Sequence, residues 1–98
     1  MNKLYVSLPI TGRDYDDVCR RCEAAERMYG GEWTVITPVN VCRGLSGPYG
    51  LFLGRCVEAL LECDAAVFLD GWTDSRGCRT ENFICETYGI PTFTDYAL

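Results

Sequence analysis

Short apolar runs alternate along this chain with longer segments in which apolar residues recur every three or four positions. Leu4-Tyr5-Val6-Ser7-Leu8 reads as a first strand, ended by Pro9. Asp14 is placed to cap a helix over residues 15–29, and Gly30-Gly31 stops it. Trp33 to Thr37 reads as a second strand, and Pro38 to Pro48, with Gly44 and Gly47, as loop. A second helix then runs to about Cys63, its inward arc being Tyr49, Phe52, Cys56, Ala59, Leu60 and Cys63. Ala65 to Leu69 forms a third strand, Gly77 to Tyr88 a third helix, and Ile90 to Thr94 a fourth strand. There are no repeats, low-complexity tracts or linkers, so residues 1–98 read as a single domain.

Continuously apolar strands separated by helices imply a parallel sheet covered on both faces. The expected fold is therefore α/β, a flavodoxin-like or Rossmann-like three-layer sandwich with a parallel sheet of four or five strands. Ligands of such folds bind outside the carboxyl ends of the strands. That rule gathers Ser7 to Arg13, Pro38 to Gly47 and Asp70 to Glu81 at one edge.

Composition narrows the partners. A net charge of −5 and no basic stripe argue against a nucleic-acid polymer. No run is long or apolar enough to span a membrane, and Met1-Asn-Lys before a short strand is no signal peptide, so a cytoplasmic protein is expected. Seven cysteines then read as reduced thiols. Cys19-Arg-Arg-Cys22 invites a metal or redox reading, but both thiols fall on the apolar arc of the first helix, with Tyr15, Val18, Ala25 and Tyr29. With no histidine and no second CxxC, these thiols read as small core hydrophobes, and no metal or cofactor is expected.

The candidate chemistry centres on Glu81. At about 100° per residue it falls in the middle of the arc formed by Cys78, Ile84, Cys85 and Tyr88. A carboxylate aimed at the core costs several kcal/mol of desolvation unless it is paired or lines a cavity. The plainer alternative is an acid serving the helix or an interface. Ser7-Leu-Pro9-Ile10-Thr11-Gly12-Arg13 is neither a Walker motif nor GxGxxG. It is a compact turn leading into a helix N-terminus, suited to a phosphate or sugar hydroxyl, or simply an ordinary strand–helix turn. Asp70, at the end of the third strand, is expected to face the same cleft. Trp72 is either a stacking lid or a packing anchor, Ser75 a helix cap that also suits phosphate, and Asp64 a shaper of the helix–strand turn.

Tyr5-Val-Ser7-x-Pro9-Ile-Thr11-Gly12, Leu-Leu-Glu-Cys-Asp64-Ala and Gly71-Trp72-x-x-Ser75-x-Gly77-x-x-x-Glu81 together resemble a small bacterial and phage family of unknown function. That family is similar to the nucleoside 2-deoxyribosyltransferases and the 2′-deoxynucleoside 5′-phosphate N-hydrolases. The resemblance implies that Glu81 attacks the anomeric carbon of a deoxyribose and that Tyr5 lies beside it. It also implies that Ser75 contacts a phosphate and that Pro9 to Arg13 enclose sugar and phosphate. In those enzymes an aspartate stands eight residues before the position of Asp64. Here that position is Cys56, and a thiol is a poor substitute for a carboxylate; Asp70 is the candidate to replace it.

The expected function is therefore N-glycosidic cleavage or deoxyribosyl transfer on a nucleoside or deoxynucleotide. The expected site joins Glu81, Tyr5 and Asp70 with Ser7, Pro9, Ile10, Thr11, Gly12, Arg13, Trp72, Ser75 and Gly77. A non-catalytic nucleotide-binding module, sensor or sequestering, is the alternative, and a structural domain without ligand the third class. Phe83, projecting from the polar side of its helix, points with the small size of the domain to a homodimer or higher homo-oligomer.

Overall fold

A computed structural model describes residues 2–98; Met1, part of the opening read as carrying no export signal, lies outside them. Four parallel strands, β1 (Lys3–Ser7), β2 (Thr34–Ile36), β3 (Ala65–Leu69) and β4 (Thr92–Asp95), form one sheet in the order β2-β1-β3-β4. The helices are α1 (Tyr15–Tyr29), a single turn α2 (Pro38–Val41), α3 (Tyr49–Leu60) and α4 (Arg76–Tyr88). The three-layer α/β arrangement expected from the apolar pattern is present.

Side-chain alternation along the central strands builds two cores. Leu4 and Val6 of β1 and Ala65, Val67 and Leu69 of β3 pack on one face against Val18, Cys22 and Ala25 of α1. Tyr5, Ala66 and Phe68 point to the other face, against Cys56 and Leu60 of α3 and Cys78 and Cys85 of α4. Asp64 shapes its turn: its Oδ2 accepts from the Lys3 amide at 2.8 Å, and its own amide donates to Lys3 O at 2.8 Å.

Several boundaries differ from expectation, each for a local reason. Pro38–Val41 is helical, not loop, because Thr37 caps it through Oγ1, which accepts from the Asn40 amide at 3.2 Å, and Pro38 opens the turn. Asp14 holds the N-cap position of α1, but its side chain makes no capping bond. The fourth strand, β4 at the sheet edge, begins at Thr92 rather than Ile90, since Gly89 (φ 70°) and Ile90 both donate to Cys85 O and complete the end of α4. Tyr88 is exposed rather than inward, whereas Phe83 is exposed, at 66%, as its place on the polar side of the helix implies. Among the described residues no helix is long and apolar enough to cross a membrane.

Candidate functional site

Tyr5 and Ser7 are successive residues on one face of β1, so both hydroxyls reach toward the helix layer that α4 occupies. There they meet Glu81. The Tyr5 hydroxyl donates to Oε2 and the Ser7 hydroxyl to Oε1, each at 2.7 Å. Glu81 is only 5% exposed, on the buried stripe of α4 with Cys78 and Cys85. The helical period thus places Glu81 inward as expected, and the structure supplies the partners that make its burial tolerable.

The three residues are electrostatically linked. Burial raises the Glu81 pKa above the ordinary carboxylate value, while the two donated hydrogen bonds pull it back down. Tyr5 is held well above its own usual value, first by burial and then by the Glu81 charge, so it stays a donor. Cys56 is pushed to about 12, mainly by burial, against a lowering influence of the nearby Tyr5 hydroxyl. Its Sγ also lies 3.8 Å from the Cys42 Sγ.

Above this group opens a cleft of about 430 Å³, with Glu81, Tyr5 and Cys56 among its lining residues. Clefts of about 300–1,000 Å³ are typical of small-molecule sites. Ile10 and Thr11 of the first loop line it, as do Pro38 and Arg43 after β2, Tyr49 and Phe52 of α3, and Ser75 and Gly77 at the start of α4. Ser75 Oγ caps α4 by accepting from the Cys78 amide at 3.3 Å. A Cβ built on Gly77 would stand 3.2 Å from the Tyr49 hydroxyl oxygen and 3.9 Å from Ser75 Oγ, so the absent side chain keeps these two hydroxyls open toward the first turn of the helix.

A sequence model described as a domain of unknown function, DUF4406, matches residues 2–94. The chain belongs to this family. It matches no curated protein.

The geometry sorts the expected site residues of this DUF4406 domain. Glu81, Tyr5, Ile10, Thr11, Ser75 and Gly77 line the cleft, and Ser7 lies directly behind Glu81. Asp70 does not join them. The strand ends at Leu69, Gly71 (φ 87°) turns the chain, and Asp70 is left exposed with its carbonyl accepting from Arg21 Nη2 at 2.7 Å. Trp72 is also outside the cleft, half-buried in a short 3₁₀ turn with its ring centroid 5.1 Å from that of Phe68. It is a packing anchor. Pro9 and Arg13 line a separate depression with Arg20, Arg21 and Leu98, and exposed Gly12 (φ 78°) lies between the two.

Two cleft features were not singled out from sequence. Arg43 is exposed at the cleft, with Nη2 donating to Asn40 Oδ1 at 2.6 Å. It was legible as the lone charge between Pro38 and Pro48. The Cys42–Cys56 contact was not, since no spacing rule links a loop residue to one in mid-helix. Among the described residues, no group of three or more His, Cys, Asp or Glu is placed to hold a metal ion.

Proposed function

We propose that this cleft takes a nucleoside or deoxynucleotide and that Glu81 is the nucleophile of N-glycosidic cleavage or deoxyribosyl transfer. The observation that carries the reading is a buried carboxylate, hydrogen-bonded at both oxygens, on the floor of an open cleft. Carboxylate attack on a sugar proceeds through an oxocarbenium-like transition state and needs a fixed, largely desolvated nucleophile. Tyr5 and Ser7 fix Glu81, yet each carboxylate oxygen accepts more than one hydrogen bond and keeps a lone pair for the anomeric carbon. As the Glu81 oxygen–carbon bond forms, the carbon–nitrogen bond to the base breaks. The base leaves with the electron pair and takes up a proton. Water, or a second base in a transferase, then displaces Glu81.

The walls support such a substrate. Tyr15, Tyr49 and Phe52 offer aromatic surface for a base. Ser75 and the first turn of α4 offer hydroxyl and backbone N–H groups to a phosphate. The resemblance to the deoxyribosyltransferases and monophosphate N-hydrolases points the same way.

One observation favours the second reading, a nucleotide-binding module without turnover. Glu81 is the one carboxylate among the residues lining the cleft, and Cys56, at the position of the related enzymes' aspartate, is too weak an acid to take over. Incubation with deoxynucleosides and their 5′-monophosphates, followed by chromatography for free base, separates the two. Base release supports the enzyme. Melting shifts with nucleotides but no base release support the module, and no shift with any nucleotide overturns both.

A further inference from the structure

Of the thiols that line the cleft, Cys42, Cys56 and Cys78, the first two have their sulfurs in contact at 3.8 Å. Cys42 closes α2 and is half-buried; Cys56 is buried on α3 and within hydrogen-bonding reach of the Tyr5 hydroxyl. A disulfide requires a sulfur–sulfur bond of about 2.05 Å, so the pair needs to close by somewhat less than 2 Å. The segment that has to move is small: a single helical turn, followed by a loop in which Gly44 and Gly47 have φ of 75° and 143°.

We propose that Cys42 and Cys56 are a modification site, forming a reversible disulfide by exchange with a small-molecule disulfide of the glutathione type. Transient disulfides are the kind compatible with a reducing compartment. The more exposed Cys42 attacks first as a thiolate. Its sulfur bonds to one sulfur of the reagent and the first small thiol departs, taking a proton. Cys56 then attacks the Cys42 sulfur, the second small thiol departs, and the Cys56 proton goes to it. Two protein thiols and one disulfide become one protein disulfide and two thiols, with both electrons on the reagent. Burial pushes the Cys56 thiol up to about 12 and limits its access, so the half-buried Cys42 takes the first step.

The consequence for the site rests on the nucleotide reading above. Turning Cys56 toward Cys42 withdraws its sulfur from Tyr5 and ties α2 to α3 along one wall of the cleft, so the oxidised chain binds nucleotide more weakly. The disulfide itself is tested without any ligand. The full chain is equilibrated in buffers of rising oxidised-to-reduced glutathione ratio, alkylated, digested with trypsin and mapped by mass spectrometry, with near-ultraviolet dichroism to follow the fold. Trypsin releases Cys42 on residues 28–43 and Cys56 on residues 56–76, and fragment ions distinguish Cys56 from Cys63 on the latter. The expected result is a joined 28–43/56–76 peptide through Cys42 and Cys56, at least tenfold more abundant than any other link and lost on reduction. In Cys56→Ser, glutathione should accumulate on Cys42 instead. Glutathione resting on Cys42 of the parent without a cross-link overturns the proposal. So does a link of Cys42 to another cysteine, no oxidation at all, or a cross-link only after the dichroism is lost. If the disulfide forms and nucleotide affinity does not change, the modification stands and its control of the cleft does not.

Discussion

The Ser7 hydroxyl on β1 donates to Oε1 of Glu81 on α4 at 2.7 Å, across 74 positions of sequence. With Tyr5 on the other oxygen, it opposes the burial of Glu81 without cancelling it, and the carboxyl is held above its ordinary pKa. Relative to the unfolded chain, the native state therefore favours the protonated form of Glu81. Its contribution to stability is fully present below the unfolded-chain pKa and is lost as pH rises through the higher folded value.

Glu81→Gln should stabilise the fold at neutral pH, because the amide keeps the shape and sheds the buried charge, and under the proposed glycosidic function it should also abolish base release. Denaturant melts of parent and variant from acid to neutral pH test this. The stability gap should widen in favour of Gln as pH rises through the Glu81 titration. A gap independent of pH, or one that favours the parent at neutral pH, contradicts it.

Ser7→Ala and Tyr5→Phe each remove one donor to the carboxylate. A hydrogen bond to a charged group contributes about 1.5–3 kcal/mol, so each variant should lose a comparable amount at neutral pH and less in acid, where Glu81 is protonated. Both should also raise the Glu81 pKa further, visible as an upward shift of the acidic limb in a pH profile of base release. If either variant melts like the parent at every pH, that hydroxyl does not support the charge.

Legibility of the fold and of the site had different limits. The apolar runs of β1 and β3 announce buried parallel strands, and the period of α4 alone turns Glu81 inward. The partners of Glu81 were half visible: Tyr5 and Ser7 share strand parity, but parity does not say which helix they face. Asp70 was expected at the cleft from its place at the carboxyl end of β3, but that rule does not say which way the chain turns after Leu69, and Gly71 turns it so that Asp70 stays exposed. The turn α2 was hidden because Gly44, Gly47 and Pro48 give its neighbourhood the composition of a loop, although Thr37-Pro38 is a sound helix start.

Gly77→Val should occlude the floor of the cleft beside the Tyr49 hydroxyl, which lies 3.2 Å from the position of the first added carbon. Nucleotide affinity should fall at least tenfold with little change in melting temperature, since position 77 is in the first turn of α4 and half-exposed. Titration calorimetry and a melt of the free protein check the two halves. Undiminished affinity would place the ligand elsewhere.

Cys56→Asp adds a second carboxylate to the cleft that Glu81 lines, and Asp70→Asn removes one that lies outside it. If the glycosidic reading holds, the first should raise the rate of base release and the second should change it less than twofold. The first should also lower the melting temperature, because two buried carboxylates repel. Chromatographic assays of the two variants decide the matter, and a strong loss in Asp70→Asn would show that its exposed position in the free protein is not its working one.

Both donors to Glu81 come from the first strand, 76 and 74 residues upstream, and β1 finds its central neighbour only when Leu4 pairs with Ala65. Closing so long a loop costs several kcal/mol of chain entropy before any contact rewards it. During synthesis, then, β1 emerges with two hydroxyls that nothing answers until the carboxylate follows more than seventy residues later. No nascent chain that stops short of α4 carries the pair. Appearance of a nucleotide-responsive melting transition would thus report completed folding of the whole domain, and a ligand added to nascent chains should protect from proteolysis only those long enough to include α4.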